Sequence, residues 1–88
     1  MYAKYRVFVA TTRGIYYAAA ANSVNGLVDL VRKWLDESSA GRSVYDDMVR
    51  EVVLMQLDDE SGMYQTEQRV PASNRKDIIA KLRALDGR

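Results

Sequence analysis

Tyr45 stands directly before Asp46 and Asp47, and Asp58, Asp59 and Glu60 stand together further along. A phenol beside two carboxylates is material for acid–base chemistry, and three adjacent carboxylates are material for a Ca²⁺ or Mg²⁺ site. The spacing argues against both uses. Side chains adjacent in sequence diverge on a helix or a strand, so Asp46 and Asp47 need not share a site. An EF-hand spreads its ligands in a set pattern along its loop, which "LDDES" lacks. Asp58, Asp59 and Glu60 read as a hairpin tip. With Asp46, Asp47 and Glu51 they form a candidate acidic docking patch for a basic protein surface, including one that ordinarily holds nucleic acid.

The chain has no histidine and no cysteine. That removes Ser-His-Asp and Cys-His nucleophiles, zinc sites with nitrogen or sulfur ligands, disulfides, and the usual base near neutral pH. A glycine-rich phosphate cradle is missing too. No nucleophile comes with an activating base. The expectation is a protein that is not an enzyme and uses no cofactor and no metal.

A more promising surface lies near the start. Along "AKYRVFVA" the residues alternate, Ala3, Tyr5, Val7 and Val9 against Lys4, Arg6 and Phe8, with Tyr2 extending the second row. "TTRG" makes a turn carrying Arg13, and "GIYYAAAANS" returns without a single charge. If Val7 and Val9 face the core, then Tyr2, Lys4, Arg6, Phe8, Arg13, Ile15, Tyr17 and Ala19 are left outward, an unusually apolar and aromatic patch for a monomer. Tyr, Phe and Arg are the anchors enriched in protein interfaces. A protein partner or a second copy of the chain is therefore the first reading. The alternative is a single-stranded nucleic acid stacked on Tyr2, Phe8 and Tyr17, with Lys4, Arg6 and Arg13 on its backbone. The plainest reading is that the aromatics merely cover a thin fold while Lys4 and Arg6 snorkel.

The elements that position these residues follow from periodicity. Strand 3–10 and strand 15–21 form a hairpin whose register faces Val9 with Tyr16, Phe8 with Tyr17, Val7 with Ala18 and Arg6 with Ala19. From an N-cap at Asn22 or Ser23, residues Val24, Leu27, Val28, Val31, Trp34 and Leu35 predict a helix over 23–37, lying close on Ala18 and Ala20. A short helical turn at 44–49 leads into strand 50–58, paired with strand 63–70, whose Gln65, Glu67 and Arg69 share one side. After Pro71, Ser73 or Asn74 caps a last helix with the stripe Ile78, Ile79, Leu82 and Leu85, ended by Gly87. Lys76 and Arg83, flanked by Arg75 and Arg88, read as its solvated face rather than a phosphate stripe. The fold class is α+β: one domain over 1–88, a four-stranded antiparallel sheet with two helices on one face, in the order ββαββα.

Net charge is +1, but residues 1–35, 36–67 and 68–88 carry +4, −7 and +4. A pI near 8.0 with an acidic middle is unlike a duplex binder, whose pI usually exceeds about 9. Arg6 and Arg13 interrupt the N-terminal apolar stretch, and no run of about 18 apolar residues exists to cross a bilayer. A cytoplasmic protein with no membrane partner is expected. The combined expectation is a small non-catalytic binding module, a homodimer, acting as an adaptor or an inhibitor of the kind that phages and other mobile elements encode.

Overall fold

The computed structural model describes residues 2–86. The expected helix stop at Gly87 and the flanking Arg88 lie outside the described residues. β1 (Tyr5–Thr11) and β2 (Gly14–Ala21) form the first hairpin, closed by Thr12 and Arg13. Thr11 ties the turn: its hydroxyl accepts from the Arg13 N–H at 3.1 Å and donates to the Gly14 carbonyl at 2.9 Å. Gly14 takes φ +134°, a backbone angle that suits a residue without Cβ.

Helix α1 (Val24–Glu37) starts at Ser23, whose hydroxyl accepts from the Gly26 N–H at 3.1 Å. Asn22 has a different task, accepting from the Lys4 N–H at 3.1 Å and so tying the hairpin's two ends together. Leu27, Val28, Val31 and Leu35 form the buried stripe of α1. The stretch "SSAGRS" is ordered: α2 (Ser39–Arg42) is a further helical turn, followed by a 3₁₀ turn at Asp46–Met48. The expected two helices are therefore three, α2 being the addition, while the short helical turn expected over 44–49 is present as the 3₁₀ turn at Asp46–Met48. The physical cause is Ser38. Its hydroxyl donates to the Trp34 carbonyl at 2.8 Å and accepts from the Gly41 N–H at 2.9 Å, closing α1 and opening α2 with one side chain.

β3 (Val49–Leu57) and β4 (Tyr64–Pro71) form the second hairpin, and α3 (Arg75–Asp86) closes the chain. Asn74 caps α3 by accepting from the Asp77 N–H at 2.8 Å, while Asp77 accepts in return from the Ser73 N–H at 2.9 Å. The sheet is antiparallel with strand order β2-β1-β3-β4. Val7, Val9, Val52 and Leu54 of the two central strands meet Leu27, Val31, Ile78, Leu82 and Leu85 in one core, so α1 and α3 pack on the same side. Among the described residues, no helix packs on the other side of the sheet.

Both hairpin registers differ from strict alternation. A bulge at Ala18 pairs Val7 with Ala19 and Arg6 with Ala20, where Ala18 and Ala19 were expected. Ala19 is consequently buried on the helix side, not outward, and Ala20 takes the outward place. A second bulge between Thr66 and Gln68 separates Gln65 from Arg69, which were expected to share a side. The extra residue in each strand reverses the facing of everything beyond it, and neither bulge carries a Gly or Pro to announce it.

Candidate protein-docking face

The helix-free face is built from alternate residues of all four strands. β1 contributes Arg6 and Phe8, β2 contributes Ile15 and Tyr17, and β3 contributes Val53 and Met55, which pair with Phe8 and Arg6. Tyr64, Thr66 and Arg69 of β4 complete it. Ile15 is 60% exposed and Tyr17 55%. Phe8 is half-buried, its ring centroid 5.5 Å from that of Tyr17 in a tilted pair. Val53, set between Phe8 and Arg69, is buried even though it points away from the helices, so the face is already partly packed by its own side chains.

Arg6 lies at the centre. Its guanidinium carbon is 3.9 Å from the Tyr64 ring centroid and 6.0 Å from that of Tyr17. The Tyr64 hydroxyl donates to the Ala3 carbonyl, which fixes the ring under the cation. Arg6 makes ring contacts but no hydrogen bond or ion pair among the described residues, leaving its N–H fork available to an acceptor from outside. Arg69, the second cation here, is held by Glu51 at 2.6 Å.

The remaining candidates are Tyr2, Lys4 and Arg13. Tyr2 is exposed ahead of β1. Lys4 sits at the bend before that strand, with its ammonium 5.2 Å from the ring of Tyr5, which packs on the helix side. Arg13 is exposed at the tip of the first hairpin. The expected row from Tyr2 to Tyr17 is thus brought together as Arg6, Phe8, Ile15 and Tyr17. Tyr64, Val53 and Met55 join it, unforeseen, because adjacency of β1 and β3 is a tertiary fact; the period-two pattern of "VVLMQL" and "MYQTEQRV" was the available signal.

The acidic residues do not form one patch. Asp46 and Asp47 precede β3 and Asp58, Asp59 and Glu60 follow it, and a nine-residue strand holds its ends roughly 30 Å apart. Asp46 accepts from the Arg75 N–H at 3.0 Å at the start of α3, and Glu51 is committed to Arg69. Tyr45 is 63% exposed, and its neighbour Asp46 is committed to the start of α3. Among the described residues no three carboxylates converge to hold a metal ion. At the tip, Asp58 accepts from the Ser61 hydroxyl at 2.8 Å and the Glu60 N–H at 3.3 Å, and these bonds hold its carboxyl below the ordinary value.

The blocks of charge seen in the sequence are likewise interleaved in space. Arg75 is 3.8 Å from Asp36 and donates to the Leu35 carbonyl, stapling α3 to the end of α1. Arg75 is thus a structural cross-link, not part of a solvated basic face. No helix among the described residues is long and apolar enough to cross a membrane.

The fold and the face together define a class: an α+β module with its helices on one side of an antiparallel sheet and an aromatic, apolar second side left open. Comparison with protein-family models, curated proteins and solved structures returned no match.

Proposed function

We propose that this chain is a non-catalytic protein-binding module, working as a homodimer, that acts as an adaptor or an inhibitor by occupying a partner's surface with the open face of its sheet. The observation that carries this reading is the company around Arg6. A guanidinium with no ion pair among the described residues stands beside Phe8, Tyr17, Tyr64 and Met55, so the face combines apolar area with one directional donor. The matching partner is a protein surface that presents apolar side chains around a carboxylate or a carbonyl. Aromatic side chains and Arg are the residues that dominate such contacts.

The nucleic-acid alternative needs several cations for phosphates. This face offers Arg6, already stacked on Tyr64, and Arg69, already paired with Glu51. Protein recognition is favoured on that count.

The test compares wild type with an Ile15→Glu, Tyr17→Glu double variant, both positions exposed, as bait for host extract at moderate salt. A protein retained by wild type and lost by the variant supports the reading. Capture of the same set by both baits contradicts it. Retention of random single-stranded oligonucleotides at low salt, abolished by Tyr17→Ala, would favour the alternative.

A further inference from the structure

We infer that the second copy of this chain joins along the free edge of β2, making one continuous antiparallel sheet across a twofold axis. The inference rests on the homodimer reading and adds the surface that forms it.

The sheet has two edge strands, β2 and β4. They are unequal. β4 carries Arg69 and ends at Pro71, which has no N–H to donate, and both features blunt an edge against pairing. β2, "GIYYAAAA", has eight residues with no charge and no proline. A backbone row of this kind is recognised by another strand, and an uncharged one meets no repulsion from its own copy.

The facing of the side chains is compatible with self-pairing. Because of the bulge at Ala18, Tyr17 and Ala20 both face the open side of the sheet, while Tyr16 and Ala21 both face the helices. A twofold axis between Ala18 and Ala19 then sets Tyr17 opposite Ala20 of the second copy, and Tyr16 opposite Ala21. Like faces meet, and each large ring meets a methyl. An axis through a single residue of the bulge would set open-side residues opposite helix-side ones.

The groove beside this edge agrees. It runs between β2 and α1 over Ala18, Ala19 and Ala20, with Leu30 and Trp34 in its wall and Lys33 and Glu37 on its rim. Leu30 is 43% exposed. Lys33 and Glu37 are only 3.9 Å apart and largely solvated. On an antiparallel copy of α1, they are opposite charges free to exchange partners across the axis, which gives the rim charge complementarity with itself.

The test is sedimentation of wild type, Leu30→Glu, Ala18→Lys and Arg6→Ala, together with amide exchange of β2 over a range of protein concentrations. The expected result is a wild-type dimer with concentration-dependent protection of the β2 amides. Leu30→Glu should raise the dimer dissociation constant by about tenfold or more, and Arg6→Ala should remain dimeric. A dimer that survives both Leu30→Glu and Ala18→Lys, with β2 exchange independent of concentration, overturns the edge while sparing the homodimer. A wild type that is monomeric at all concentrations overturns both.

Discussion

The guanidinium of Arg6 on β1 is centred 3.9 Å over the ring of Tyr64 on β4, two residues joined only by folding. Its second ring neighbour, Tyr17, lies on the opposite edge strand, so one cation links both margins of the open face. A cation–π contact contributes roughly 0.5–2 kcal/mol, depending on how dry it is. Arg6→Ala is expected to cost about 1 kcal/mol in urea denaturation, and Arg6→Lys less than half of that. Partner affinity should fall with both, because neither preserves the planar fork of donors. Equal affinity for Arg6→Lys and wild type would show that the fork is not used.

Gly41 is the position least tolerant of a side chain. A Cβ there would sit 1.9 Å from the Trp34 carbonyl oxygen, a backbone atom that cannot swing aside. Gly41→Ala is expected to destabilise the fold by about 3 kcal/mol, since α2 must lift off α1. Thermal denaturation followed by circular dichroism measures it.

Ser38→Ala acts at the same junction by another route. It removes the acceptor for the Gly41 N–H and the donor to the Trp34 carbonyl, for an expected loss of about 1 kcal/mol. Leu82→Ala, at a fully buried position between α3 and the sheet, should cost about 2–5 kcal/mol. For a domain of this size that is a large share of total stability. If Ser38→Ala proves the more damaging of the two, the junction rather than the core dominates.

Asp58 supplies a pH signature. Its carboxyl is depressed by the Ser61 hydroxyl and the Glu60 N–H, so its folded-state value lies below its unfolded one. The stabilisation is present above the ordinary carboxylate range and is lost as pH falls through the depressed value. Ser61→Ala should move the Asp58 titration, followed by carboxyl NMR shifts, upward toward the ordinary value. An unmoved titration would mean that the hydroxyl is not the cause.

Much of this architecture can be read in the chain. The strand of "AKYRVFVA", the stripe of α1 and the Asn74 cap each follow from periodicity or capping chemistry, and the first hairpin pairs Val9 with Tyr16 and Phe8 with Tyr17 as its turn requires. The bulge at Ala18 was hidden because four successive alanines carry no facing signal of their own. Ser38 and Gly41 give no helical signal in the sequence, since a four-residue helix has no room for a period. On the open face, Arg6, Phe8, Ile15 and Tyr17 are legible as one hairpin's outer row. Tyr64 and Val53 belong to the face only because β1 pairs with β3, a contact between segments far apart in sequence.

The central claim is that the open face docks protein, and a photoreactive benzoylphenylalanine in place of Tyr17, activated in the native host, tests it most directly. The account predicts a light-dependent, nuclease-resistant adduct to a polypeptide other than a second copy of this chain, with none from the same probe at Arg83, which is exposed on α3. No adduct at position 17, or one that nuclease destroys, would contradict it.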